Sequence, residues 1–110
     1  EASDIEGRTP LHIAAKEGND KIIEVLVNEG ANIKARDELG RSALHLAAMG
    51  KKYFSASYDK SKIIQTLVRL GANPEAQDNM GRLPIEYVSP NEQIVINILR
   101  DRLKQFRTTK

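Results

Sequence analysis

Residues 7–15 read GRTPLHIAA, and residues 40–48 repeat this phrase almost letter for letter as GRSALHLAA. The two copies begin 33 residues apart. A third and altered copy, GRLPIEYVS, occupies residues 81–89. A motif that returns at a fixed spacing of roughly 20–50 residues indicates a repeat architecture, in which each unit buries its apolar face against its neighbours. The chain is therefore expected to be a stack of similar units.

Each copy begins with the same local signals. An aspartate stands three residues before each glycine (D-x-x-G at 4–7, 37–40 and 78–81), which favours a type I turn. Thr9 and Ser42 then occupy the N-cap position of a helix, and Pro10 suits its first turn. Apolar spacing predicts a first helix over about Pro10–Glu17. It predicts second helices over about 20–29 and, one repeat later, about 62–70.

The T-P-L-H-x-A motif at residues 9–14, with its 33-residue period, resembles that of the ankyrin repeat family. The resemblance implies an all-α fold: an ankyrin-repeat solenoid of stacked helix-turn-helix units with projecting β-hairpin or turn fingers. It also implies one domain over residues 1–110. Repeat one is expected at about 4–36, repeat two at 37–77 with an insertion at about 50–61, and repeat three at 78–107.

Two repeats depart from this pattern. Gly40 and Gly81 are 41 residues apart, so repeat two carries an insertion, and three of the five aromatic residues of the chain lie in it. That insertion is either a binding loop or packing over the end of the preceding helix. In repeat three, Leu83 stands at the N-cap position and Glu86 replaces the histidine, which suits a C-terminal cap. Repeat one has no such polar changes, so we expect further repeats to precede it.

Composition limits the environment and the partners. The chain has no cysteine, which excludes disulfides and favours a reducing compartment, and no apolar run is long enough to span a membrane. A cytoplasmic location is expected, with the nucleus as the alternative, and the isolated domain is expected to be a monomer. The net charge of +2 comes from the basic residues after position 99, because residues 1–99 carry more acidic than basic side chains.

The two histidines are the obvious candidates for chemistry. His12 and His45 occupy the same repeat position, so they lie one layer apart, and packed helices are about 8–10 Å apart. Two Zn–N bonds of about 2 Å could not bring both rings to one ion across that distance. The resemblance implies instead that each histidine ties the turn to the start of the helix. No nucleophile, zinc-protease or phosphate-loop motif occurs, so we expect no enzyme activity, cofactor, metal site or small-molecule substrate.

The resemblance implies a non-catalytic module that binds a partner protein through its finger tips and the concave face of its first helices. Ile5, Leu39 and Met80 share one turn position and are expected to form an apolar strip. The predicted partner-binding residues are Ile5, Glu6, Arg8, Lys16, Glu17, Glu38, Leu39, Arg41, Met49, Tyr53, Phe54, Tyr58, Asn79, Met80 and Arg82.

Two other functions remain open from the sequence. The chain could be a regulatory or substrate-docking domain of a larger multidomain enzyme, or, as a less favoured alternative, it could bind nucleic acid through its basic C-terminal tail.

Overall fold

The computed structural model describes residues 7–50 and 59–108, and the backbone alone for 106–108. Its elements, in chain order, are α1 (Pro10–Glu17), α2 (Asp20–Asn28), α3 (Ala43–Met49), α4 (Lys60–Arg69), a 3-10 helix (Pro84–Tyr87) and α5 (Gln93–Thr108). No strand occurs in these ranges, so the all-α prediction is confirmed. The predicted repeat boundaries stay a prediction.

The helices form two rows. In one row α1 packs on α3 and α3 on the 3-10 helix, and in the other α2 packs on α4 and α4 on α5. Each unit also packs its own two helices together. The core between the rows is aliphatic, with Leu11, Ile23, Leu44, Ile64 and Leu67 at its centre. Ala15 and Ala48 are fully buried, so the first helices can pack closely where a larger side chain would overfill the core.

The first helices begin as the sequence predicts. Thr9 and Ser42 have extended backbones, and each hydroxyl accepts a hydrogen bond from the backbone amide three residues later, at 3.4 Å. α1 spans the predicted residues and ends at Gly18, whose φ of 78° lies in the left-handed region that favours glycine.

The predicted bounds of the second helices are less accurate. α2 ends one residue before the predicted Glu29. α4 begins at Lys60 rather than near Lys62, because Asp59 caps it by accepting a hydrogen bond from the amide of Lys62 at 3.3 Å.

The turns between repeats are compact, and in the described ranges they contain no β-hairpin. In the turn over residues 37–41, the amide of Gly40 donates to the carbonyl of Asp37 at 3.0 Å, as the predicted i to i+3 turn requires. The amide of Asp37 donates to the carbonyl of Arg41 at 2.9 Å and closes the loop. Residues 78–82 repeat both bonds, so the two turns share one backbone conformation.

The face of the α1–α2 pair that points away from α3 and α4 is apolar and exposed. Ile13 is 43% exposed and Ile22 is 45% exposed. Their counterparts one repeat later, Leu46 and Ile63, are 1% and 2% exposed, because α1 and α2 cover them. Whether further repeats precede this face stays a prediction.

Candidate functional site

Each histidine links two repeats. Nδ1 of His12 accepts a hydrogen bond from the backbone amide of Thr9 at 3.1 Å, so Nε2 must carry the ring proton of the neutral imidazole. Nε2 therefore donates to the carbonyl of Arg41, 2.8 Å away in the next turn. The ring thus completes the start of α1 and holds the next turn against it.

His45 repeats this arrangement one layer later. Its Nδ1 accepts from the amide of Ser42 at 3.1 Å, and its Nε2 lies 2.8 Å from the carbonyl of Arg82. Burial lowers the pKa of His45 below its usual 6.5, although the hydrogen bond to Arg82 and the charge of Asp78 oppose this shift. The neutral ring is therefore the form that the fold stabilises.

Both histidines use both ring nitrogens within the fold, which supports the structural role implied by the sequence. Among the residues that the structure describes, no group of three or more His, Asp or Glu side chains is placed to hold a metal ion. The same residues include no helix that is long and apolar enough to cross a membrane.

Glu86 replaces the histidine in the third unit and makes one of the two hydrogen bonds that the histidine makes in the other units. Its Oε2 accepts a hydrogen bond from the amide of Leu83 at 2.7 Å, as the histidine Nδ1 does in the first two units. An ionised carboxylate has no proton to donate, so Glu86 cannot make the second bond to a carbonyl of a following turn.

The turn over residues 37–41 is organised around a buried carboxylate. Oδ1 of Asp37 accepts from the amides of Leu39 and Arg41, at 3.0 and 2.8 Å. Oδ2 pairs with Nε of Arg41 at 2.8 Å, and the Arg41 side chain is only 16% exposed. The partner of this arginine is therefore Asp37.

The turn over residues 78–82 has the same backbone but a different side-chain partner. Oδ1 of Asp78 accepts from the amides of Met80 and Arg82, at 3.0 and 2.9 Å. Oδ2 accepts instead from the hydroxyl of Tyr87, which lies at the end of the 3-10 helix. The guanidinium of Arg82 lies 5.8 Å from the centroid of the Tyr87 ring, and the residue is exposed.

The pKa values of Asp78 and Tyr87 reflect this contact. Burial acts to raise the pKa of Asp78, but the hydrogen bonds from Tyr87 and from the amides of Arg82 and Met80 outweigh it, so the pKa lies below 3.8. Burial, followed by the hydrogen bond to Asp78, raises the pKa of Tyr87 above 10.0, and a hydrogen bond from Arg82 opposes that shift. At neutral pH the pair is thus a carboxylate and a neutral phenol.

Asn79 joins the two turns. Its backbone amide donates to the carbonyl of Leu39 at 2.9 Å, and its side-chain amide donates to the carbonyl of Glu38 at 3.0 Å. The close approach leaves no room for a side chain at Gly40, whose φ is +77° and where an added Cβ would lie 2.8 Å from the amide nitrogen of Asn79. The tips of the two turns therefore form one continuous surface.

Two of the three residues of the predicted apolar strip, Leu39 and Met80, lie in the described ranges. Leu39 is 57% exposed and Met80 is 73% exposed, on turns that Asn79 holds side by side. Glu38, Asn79 and Arg82 are also exposed. We call these five residues the tip surface. The structure brings them together, but their binding to a partner stays a prediction.

The other predicted site residues lie away from the tip surface or outside the described ranges. Along the row of first helices, Glu17 is exposed, while Lys16, Met49 and Arg8 are partly buried. Arg41 is partly buried and held by Asp37. Five predicted residues lie outside the described residues: Ile5, Glu6, Tyr53, Phe54 and Tyr58.

Sequence reasoning misses the part played by Tyr87. It occupies the place of Ile13 and Leu46 in the repeat, which marks it as a simple packing position. Its ring does pack edge-on against His45, with centroids 5.9 Å apart, but its hydroxyl reaches back to Asp78. The signal in the sequence is an aromatic residue with a polar tip at an aliphatic position of the motif.

Comparison with known proteins agrees with this architecture. Human transient receptor potential cation channel subfamily A member 1 is 49% identical over 47 residues, which is 43% of this chain and 4% of that protein. Potassium channel AKT2/3 of Arabidopsis thaliana is 45% identical over 51 residues, which is 46% of this chain and 6% of that protein. Human ankyrin repeat and SOCS box protein 11 is 52% identical over 40 residues, which is 36% of this chain and 12% of that protein. The matched stretches thus span a small share of each relative.

A family model described as ankyrin repeats (3 copies) matches residues 1–78, well over half of the chain. Ankyrin repeats generally mediate protein–protein interaction, and domains built from them are typically non-catalytic. With its stacked helix pairs, its capping histidines and this match, the chain belongs to the ankyrin repeat family.

Proposed function

We propose that this chain is a non-catalytic module that binds a partner protein through the tip surface (Glu38, Leu39, Asn79, Met80 and Arg82). The observation that carries the proposal is the pair of exposed apolar side chains, Leu39 and Met80, on turns that are hydrogen-bonded to each other. Apolar side chains on a fixed backbone are favourable anchors, because little backbone freedom is lost when they are covered.

The size of the effect can be judged from burial. Fully covering one exposed leucine or methionine side chain contributes about 1.5–3 kcal/mol. Leu39 and Met80 begin 57% and 73% exposed, so each offers roughly 1–2 kcal/mol on that scale. Two such anchors with a polar rim fit the usual pattern of protein interfaces, in which a few residues supply most of the affinity.

The row of first helices extends this surface in the proposal. Lys16, Glu17 and Met49 would contact the same partner beside the tips, as would Arg8. The five predicted residues outside the described ranges remain part of the proposed site on the strength of the sequence alone. We also propose that the isolated domain is monomeric and acts in the cytoplasm or nucleus.

Affinity capture with quantitative mass spectrometry tests the proposal. The bait is the 110-residue chain, and the test variant carries Leu39→Ala and Met80→Ala together. The matched control is Ile94→Ala, which removes a side chain that is 70% exposed on α5, in the other row. Partners that the wild type and the control retain should be lost from the double variant. Equal recovery of those partners with all three baits would show that the tip surface does not bind them.

A docking or regulatory role within a larger enzyme is the second candidate. It is compatible with the matches, which cover only 4% to 12% of the relatives named above, so in those proteins the matched repeats are part of a longer chain. If residues 1–110 serve a catalytic domain in this way, their removal should change its regulation or its choice of protein substrate. Turnover of a small substrate analogue should stay the same.

Nucleic-acid binding through the basic tail has less support. The cations of α4 next to the tail are partly neutralised by α2, because Lys62 lies 3.6 Å from Asp20 and Arg69 lies 2.8 Å from Glu24. Fluorescence anisotropy with a labelled DNA duplex at low salt tests this alternative. Binding that disappears when residues 100–110 are deleted would support it.

A further inference from the structure

The two turns of the tip surface share one backbone conformation but expose opposite charges. In the turn over residues 37–41, Glu38 is exposed while Arg41 is drawn onto Asp37 and is largely covered. In the turn over residues 78–82, the uncharged Asn79 stands in the place of Glu38, and Arg82 is exposed. The first turn therefore presents a negative charge to solvent, and the second turn presents a positive one.

Tyr87 is the cause of this difference. In the first turn, Oδ2 of Asp37 is the atom that holds its arginine, through Nε at 2.8 Å. In the second turn the equivalent atom, Oδ2 of Asp78, is occupied by the hydroxyl of Tyr87. The guanidinium of Arg82 therefore rests against a neutral phenol ring, 5.8 Å from its centroid. A neutral neighbour leaves more of the cation's charge available to a ligand than a paired carboxylate would.

We propose that the turn over residues 78–82 binds an acidic peptide segment of a partner protein. A carboxylate of that segment pairs with the guanidinium of Arg82, and a neighbouring apolar side chain covers Met80. Tyr87 is the positioning residue that keeps Arg82 off Asp78. The inference rests on the proposed function, because it names the chemistry of the partner at the same tip surface.

The neighbouring charges define the segment further. Glu38 repels a second carboxylate one repeat away and attracts a cation there. Neighbouring repeats are spaced like packed helices, about 8–10 Å apart, which an extended peptide crosses in about three residues. The matching segment therefore carries a basic residue, then an apolar one, then an acidic one within about four positions. A polyanion such as nucleic acid matches this alternation poorly.

The positioning role can be tested without any ligand. Arginine Nε–Hε signals in ¹⁵N-resolved NMR spectra report whether each guanidinium is held by a carboxylate. We expect slow solvent exchange for Arg41 and fast exchange for Arg82. In Tyr87→Phe the hydroxyl is gone, so Arg82 should turn to Asp78 and its Hε should exchange slowly, as Arg41 does. Unchanged exchange at Arg82 in this variant would overturn the positioning role.

Binding is tested by NMR titration with a short synthetic peptide that contains Lys-Ala-Leu-Glu, with blocked ends. The control peptide has Gln in place of Glu. The protein variants are Arg82→Gln, Tyr87→Phe and, as a matched control, Arg100→Gln, which changes an exposed arginine on α5 in the other row. Each variant is checked for native amide spectra before titration. We expect Arg82→Gln and the Gln peptide each to weaken binding by about twofold to fivefold, the range of an exposed charge pair. Tyr87→Phe should weaken it by a smaller factor, and Arg100→Gln should leave it unchanged.

The remaining outcomes separate this inference from the broader proposal. If the peptide shifts the signals of Leu39 and Met80 equally in wild type and in Arg82→Gln, the tip surface binds peptides but the acidic specificity is wrong. If wild-type protein does not bind the peptide at millimolar concentration, the acidic-segment inference is overturned. Whether the tip surface binds a partner would then be decided by the capture experiment with Leu39→Ala and Met80→Ala.

Discussion

Replacing Gly40 with alanine should destabilise the protein much more than the same change at Gly81. Both glycines hold the fourth position of a turn, with nearly equal φ of +77° and +79°. An alanine in the left-handed region costs about 1–2 kcal/mol at either position. The matched backbone makes Gly81→Ala a control for that cost.

The surroundings of the two glycines differ. A Cβ at Gly40 would lie 2.8 Å from the backbone nitrogen of Asn79 and 2.9 Å from its Cγ, whereas a Cβ at Gly81 would meet no atom within 4 Å. The turn over residues 78–82 must therefore move away in Gly40→Ala, which overpacks the contact at about 1–3 kcal/mol. It also strains the 2.9 Å hydrogen bond from the amide of Asn79 to the carbonyl of Leu39.

We therefore expect a loss of about 1–2 kcal/mol in the free energy of unfolding for Gly81→Ala, and about 2–5 kcal/mol for Gly40→Ala. Urea unfolding followed by circular dichroism at 222 nm measures both. With a slope of about 2 kcal/mol per molar urea, the two midpoints should differ by about 1 M. Hydrogen exchange at the amide of Asn79 should accelerate only in Gly40→Ala. Equal midpoints for the two variants would refute the close packing of the turns.

Three further outcomes follow from burial and charge. Because the folded state lowers the pKa of His45 below 6.5, the unfolded chain takes up a proton first, so stability should fall as the pH drops below about 6.5. Urea midpoints at pH 7.5 and 5.5 should show this loss, and His45→Gln should reduce it. Ile63→Ala should cost about 2–5 kcal/mol in thermal unfolding, whereas Ile22→Ala, at a position that is 45% exposed, should cost about 1 kcal/mol or less. Arg69→Ala removes an exposed ion pair with Glu24, and a double-mutant cycle should give a coupling below about 1 kcal/mol.

Local features of the fold follow from the sequence, while contacts between repeats do not. The caps at Thr9 and Ser42 and the stop at Gly18 depend on neighbouring residues, so short-range rules locate them. The carbonyl partners of the histidines lie 29 and 37 residues further along the chain, and no local pattern could identify them. The sequence indicates that the histidines tie each turn to its helix, but each also holds the turn of the following repeat.

The tip surface can be predicted as a set of residues, but its charge cannot. The repeat pattern treats Arg41 and Arg82 as equivalent, because both follow the glycine of the turn. The difference between them depends on Tyr87, which lies nine residues from Asp78 in the chain, at the end of a 3-10 helix that stands where the earlier units have an α-helix. A 3-10 helix has three residues per turn, so its side chains point differently from those of α1 and α3.

Glu86 and Tyr87 are adjacent in the chain. Glu86 changes the hydrogen bonds that link one unit to the next turn, and Tyr87 changes the charge that the tip surface exposes. His12 and His45 each pass a hydrogen bond to the next turn, but Glu86 has only acceptor atoms when ionised and cannot continue the series. Tyr87, the next residue, takes the carboxylate that would otherwise hold Arg82. In the third unit, Glu86 therefore cannot donate to a carbonyl as the histidines do, and Arg82 is exposed. Restoring the histidine by Glu86→His should leave the exposure of Arg82 unchanged, because Glu86 bonds to the amide of Leu83 while Arg82 lies against Tyr87. Arginine Nε–Hε exchange measures this exposure directly.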